Sequence, residues 1–258
     1  MARLLNYPLL VLLLSFLTLW LSAAIGASLF RKQLNLEENV REHYTIILAA
    51  TLTLLGLIIG FSFSMATNRY DQRKNYEEAE ANAIGTEYVR ADLLPTADAE
   101  RLRVLLGKYL EQRILFYTTR DAQELAKINA YTTQLQTEMW SAVRSSSASH
   151  PTAVVALAVS GMNDVLNSQG YTQAAFWNRI PIAAWVLMVM IAICCNVLVG
   201  YGVRDMKAAR VLLTILPLVV SIAFYLIADI DSPRRGLIDV RPQNLISLSE
   251  SMRAHLAK

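Results

Sequence analysis

Four stretches of the chain carry no charged residue: Leu4–Phe30, Tyr44–Asn68, Ile180–Val203 and Val211–Ala228. The last has 18 residues and the others have 24 to 27. A helix rises about 1.5 Å per residue, so roughly 20 apolar residues cross a hydrocarbon core of about 30 Å. A helix of that length in water needs a polar stripe along one side. All 24 Lys and Arg and all 21 Asp and Glu fall outside the four windows. The pattern predicts an all-α, polytopic membrane protein with four transmembrane helices in two pairs, embedded in a lipid bilayer.

The first window also has the layout of a signal peptide, with Arg3, a Leu-rich run and small residues at Ser22–Ala24 and Ala27. Its apolar part is about twice the roughly 7–15 residues of such a segment, which predicts a retained helix.

The pairs divide the chain into residues 1–68, a polar region 69–179, residues 180–228 and a tail 229–258. An even number of spans puts both termini and the polar region on one side. Near the span ends that side carries Arg3, Arg69, Arg73, Lys74, Arg179, Arg234, Arg235 and Arg241. The opposite side carries Arg31, Lys32, Arg41, Arg204, Lys207 and Arg210. The basic excess predicts that the polar region and the termini are cytoplasmic, on the inner side of the membrane.

Residues 69–179 read as a helical bundle. Leu102, Leu105, Leu106 and Tyr109 recur at helical spacing, as do Leu110, Ile114 and Tyr117. Helices are expected near 70–93, 97–119, 121–145 and 151–168, with Thr96 as a cap and Ser145–Ser149 as a loop. Twelve basic and thirteen acidic residues nearly cancel in this region. With a net charge of only +3 overall, the chain has no basic surface suited to nucleic acid. Cys194 and Cys195 are adjacent in the third window and read as small buried hydrophobes. Asn196 is expected to bond to a neighbouring helix, and Pro217 to kink its own.

The second window has the densest pattern. Thr53, Gly56, Gly60 and Ser64 form a small-residue stripe containing a G-x-x-x-G motif, a surface that another helix can approach closely. Another row offers Leu54, Leu57, Ile58, Phe61 and Met65. Large apolar side chains around a pore make a constriction that gates by dewetting. Periodicity alone leaves open whether this row meets lipid or a pore. No helix breaker follows until Gly85, so the span is expected to run on into the polar region. Arg69, Arg73 and Lys74 stand where they would gather anions at a mouth or anchor the helix at the membrane edge.

These segments carry a resemblance. Gly60-Phe61, Tyr70-Asp71, Glu78-Ala79-Glu80-Ala81-Asn82-Ala83-Ile84-Gly85-Thr86 and Arg90-Ala-Asp-Leu-Leu-Pro95 are similar to the second helix of bestrophins and to the bestrophin-like domain of bacterial membrane proteins. Asp229-Ile-Asp231-Ser-Pro233-Arg-Arg-Gly236 resembles the segment after the last bestrophin span. The resemblance implies a homopentamer with the second helix around a central pore, conducting small anions through an apolar neck at Leu54, Leu57, Ile58 and Phe61. The chain departs at Ser62-Phe63-Ser64-Met65, where bestrophins tend to carry an Arg-Asn pair.

Glu77, Glu80, Ile84 and Glu87 share one helical face, with Arg73 and Arg90 as candidate ion-pair partners. Asp229, Asp231 and Asp239 match no dedicated calcium-loop spacing, and Asp231 is expected to cap a turn at Ser232-Pro233. His43, His150 and His255 are scattered, and the phosphate, dinucleotide and nucleophile-elbow motifs are absent. The sequence therefore predicts no metal, no cofactor and no enzyme. It leaves two functions: an oligomeric anion channel, or a non-conducting scaffold or sensor whose helical bundle binds partners.

Overall fold

The computed structural model describes residues 7–29, 38–202 and 206–256. Arg3, Arg31, Lys32 and Arg204 lie outside the described residues, as does the start of the first apolar window. No strand is present among the described residues. The helices are α1 (Pro8–Leu29), α2 (Glu38–Arg90), α3 (Thr96–Thr118), α4 (Ala122–Ser149), α5 (Ala153–Trp177), α6 (Ile182–Tyr201), α7 (Met206–Asp231) and α8 (Gln243–Leu256). A 3-10 turn at Ala91–Leu93 separates α2 from α3.

The chain divides into two compact units, one of residues 1–69 and 179–239, the other of 70–178 and 240–258. The tail predicted as one piece from 229 is thus shared between them. The first unit is apolar, and its four spans are long and hydrophobic enough to cross a membrane. In it, α1 packs against α6 and α7. The backbones touch at two glycines: a Cβ at Gly26 would collide with Val197 O, and one at Gly200 with Ala23 O. Ala23 and Ala27 are buried in the same contact. The small residues that gave the first window its signal-peptide look therefore let helices approach closely. Tyr44 of α2 donates to Leu198 O of α6 at 2.5 Å.

Pro217 sits inside α7, which is a single helix from Met206 to Asp231. Asn196 donates back to Ala192 O in its own helix at 2.8 Å, and not across to a neighbour. Cys195 is buried as expected, whereas Cys194 is exposed on the surface of α6.

The second unit encloses one large core built from Ile84, Leu102, Leu106, Tyr109, Phe116, Leu135, Met139, Val165 and Leu245, among others. Helix starts follow local chemistry. Asp121 accepts from the backbone N–H groups of Gln123 and Glu124 at the head of α4. Thr152 caps α5 through Val155 N–H. At α3 the cap position belongs to Pro95 and Thr96 is the first helical residue, with no side-chain cap bond. Ser145–Ser149, expected as a loop, is the last turn of α4, where the Ser149 hydroxyl donates back to Ser145 O. The helix stops at His150 because Pro151 disfavours helical geometry in the residue before it. α5 runs past the expected 168 to Trp177, and Asn178 leaves the helix in an extended conformation.

Candidate functional site on the second helix

Within the apolar unit, α2 turns Leu55, Ser62 and Ala66 inward. Each row of such a helix is offset about 100° from the next. The small-residue stripe one row further on is open: Thr53, Gly56, Gly60 and Ser64 are all exposed, and a Cβ at Gly56 or Gly60 would meet nothing within 4 Å. Among the described membrane-spanning helices, backbone meets backbone at Gly26 and Gly200, and not at the G-x-x-x-G motif. The apolar row is also open, with Leu54 44%, Leu57 52% and Phe61 63% exposed, Met65 exposed and Ile58 half-buried. Only 11% of the most apolar window of this helix is covered by the chain, against 50% for α7.

Of the three basic residues that follow the span, Lys74 is exposed and Arg69 half-buried. Arg73 is 2% exposed, so it presents no charge to a mouth. It begins the inward face of α2 in the polar unit, which continues through Glu77, Glu80, Ala81, Ile84, Glu87 and Tyr88. Sequence spacing had grouped the acids on one face, and that face is buried. A bare charge costs several kcal/mol to bury, so each must be answered.

Three acids find three answers. Glu77 caps α8: Asn244 Nδ2 donates to it at 2.6 Å and Leu245 N–H at 3.0 Å. Glu80 meets Arg113 of α3, with Nε at 2.5 Å, both side chains wholly buried. Tyr117 and Thr172 hydroxyls also donate to Glu80, at 3.3 and 3.2 Å. Burial works against the Arg113 charge, but Glu80 together with the Tyr109 and Tyr117 hydroxyls outweighs it and the guanidinium pKa rises. It also lies 4.3 Å from the Phe116 ring centroid. Burial raises the Tyr109 and Tyr117 hydroxyls, and the Glu80 charge adds to it. The expected partners Arg73 and Arg90 are not those of Glu80. The signal that was missed is Arg113 itself, a charge standing at a core position of the α3 stripe. Glu87 is the third case: it is fully buried and neither carboxyl oxygen has a hydrogen-bond partner. Burial pushes its pKa up to about 8, Arg90 opposing the rise and Asp164 assisting it.

The remaining motif residues scatter. Tyr70 packs against the core and Asp71 is exposed. Gly85 admits Leu248 of α8, whose Cδ1 would stand 3.1 Å from an added Cβ. Asn82 and Thr86 are exposed at an open cavity of about 340 Å³ shared with Ala83, Arg90, Gly161 and Asp164.

In the last turn of α7, both acids bind backbone. Asp229 accepts from Leu237 N–H at 2.8 Å and Ile238 N–H at 2.9 Å. Gly236 lies against it, since a Cβ there would come within 2.5 Å of Asp229 O. Asp231 accepts from Ile180 N–H at 3.1 Å and Arg179 Nε at 3.0 Å. It is the last residue of α7 and reaches back to the residues just before α6. Pro233 is half-buried in that turn. Among the described residues no group of three His, Cys, Asp or Glu side chains is placed to hold a metal ion.

The sequence matches the profile of the Bestrophin-like domain over residues 9–245. The chain belongs to the bestrophin-like family. Solved structures of a bacterial bestrophin homologue from Klebsiella pneumoniae share its fold. One covers 95% of this chain and 98% of its own, with TM-score 0.66 and 12% identity. A variant of that homologue covers 95% of each chain with TM-score 0.68 and 12% identity. A crystal structure described as a membrane protein matches over 97% of this chain and 99% of its own, with TM-score 0.65 and 12% identity. No curated protein matches the chain by sequence. Four apolar helices and this family make it a bestrophin-like membrane protein.

Proposed function

We propose that copies of this chain assemble around an axis into a channel for small inorganic anions, as the resemblance to bestrophins implies, with five copies per channel. In this reading α2 lines the axis, and Leu54, Leu57, Ile58, Phe61 and Met65 form an apolar neck. The observation that carries it is the bareness of α2: its span is the least covered of the four, and its exposed surface holds large apolar and small residues in separate rows. Small residues suit a neighbouring copy's helix, and a ring of large apolar side chains suits a dewetting gate. Arg69 and Lys74 would gather anions at the mouth, in an inner membrane with termini and polar unit cytoplasmic. The role is transport and not catalysis.

Planar-bilayer recording of the purified full chain tests this. Anion-selective current is expected, and Phe61→Ala is expected to raise its conductance by widening the neck. An oligomeric particle silent under every condition, in wild type and Phe61→Ala alike, would favour the scaffold or sensor reading, in which the helical unit binds partners.

A further inference from the structure

Glu87 points to something that the channel reading does not use. Its carboxyl is sealed between α2 and α5 with no donor on either oxygen. The seal is tight because position 161 of α5 is glycine: a Cβ there would collide with Glu87 Oε2 and lie 2.6 Å from Arg90 Nη1. The neighbouring ion pair is loose, with Arg90 Nη1 3.9 Å from Asp164 Oδ2, and both side chains partly open to solvent. Arg90 and Gly161 also line the open cavity of about 340 Å³, so water stands one side chain away from the carboxyl.

We propose that Glu87 is a proton-binding site that controls the α2–α5 contact. With the proton on, the neutral acid tolerates its dry seat on Gly161. When the proton leaves to water, the carboxylate needs donors that the closed contact lacks. Arg90 then turns from Asp164 to Glu87, or water enters from the cavity. Either response loosens α5 from α2.

The charges that act on Glu87 are Arg90 and Asp164, and other nearby pairs are engaged elsewhere. Arg90 lies on the same helix and Asp164 on α5. From the 3-10 turn, Asp92 is engaged by Arg103 of α3. From α8, Arg253 is paired with Glu111 of α3. The working pH is set chiefly by burial, with Arg90 and Asp164 as opposed trims, and the group changes charge near about pH 8. The inference stands whether or not the assembly conducts.

The test is a pH titration of the full chain in detergent, read in two ways. Infrared spectra follow the C=O stretch of protonated carboxyl groups. Amide hydrogen exchange, corrected for its intrinsic pH dependence, follows residues 153–177. A carboxyl band is expected to disappear near about pH 8, together with faster exchange in α5. Both changes should be absent in Glu87→Gln, which keeps the neutral shape. The midpoint should move to higher pH in Arg90→Gln and to lower pH in Asp164→Asn, because the first removes a charge that favours the carboxylate and the second one that opposes it. These two side chains are partly exposed, so the opposed shifts can be read even if Glu87→Gln fails to fold. A transition that persists in Glu87→Gln, midpoints that ignore both flanking substitutions, or the absence of any titrating carboxyl would overturn the proposal.

Discussion

Buried charge is the dominant theme at the residue scale. Arg113 and Glu80 are both wholly enclosed, and their worth depends on keeping both partners. Removing one strands the other, at a typical cost of about 3–5 kcal/mol. Arg113→Met is therefore expected to destabilise the polar unit by about that amount. Arg113→Met combined with Glu80→Gln should recover part of the loss. Chemical denaturation in detergent of the two variants and wild type checks this, and equal stability of Arg113→Met and wild type would remove the pair from the account. Sequence spacing made the acidic face legible. It did not reveal that the face points inward, because charged residues at helical spacing read first as a solvated surface. The apolar residues interleaved with them, Ala81 and Ile84, were the available clue.

Elements in this protein are tied together by side chains that finish one another's helix ends. Glu77 on α2 supplies the N-terminal cap that α8 lacks, since Pro242 precedes Gln243 and offers no side-chain acceptor. Glu77→Ala is expected to cost roughly 1 kcal/mol and to fray α8 first, seen as faster amide exchange in 243–256 with the rest of the unit unchanged. In the last turn of α7, where an acid is unfavourable unless donors meet it, Asp231 takes the Ile180 N–H just before α6 and Asp229 takes two loop N–H groups. In the apolar unit the tie is backbone proximity. Gly200→Leu is expected to force α1 and α6 apart, because the obstructing atom is the Ala23 carbonyl and cannot swing aside. The expected readout is loss of the folded fraction in a detergent denaturation series, while Gly56→Leu, with open space around it, should fold as the wild type does.

At the scale of the whole molecule, the membrane is the organising solvent. Exposed Leu, Ile and Phe on α1, α2, α6 and α7 would be an aggregation hazard in water and are ordinary in lipid. The basic excess on one side of the spans predicts which way the chain faces. Lys127, exposed on α4, is a suitable reporter. In a variant lacking Cys194 and Cys195, Lys127→Cys is expected to react with a membrane-impermeant maleimide only after the inner membrane is permeabilised. Labelling in intact spheroplasts would invert the orientation.

The sequence by itself determined the four spans, the all-helical class and the family, because each depends on composition along a window or on short local motifs. It located α2 as the helix to watch and placed Glu77, Glu80 and Glu87 on one face. Tertiary structure alone decided which surfaces are covered. It showed that Gly26 and Gly200 bring helix backbones together in the apolar unit while Gly56 and Gly60 stand open. It paired Glu80 with Arg113 across 33 residues of chain and gave the aspartates ending α7 to backbone N–H groups. It also left Glu87 dry against a glycine. Helical period fixes which residues share a face, but what meets that face is set by packing between segments distant in sequence, and burial, hydrogen bonding and proton affinity all follow from that meeting.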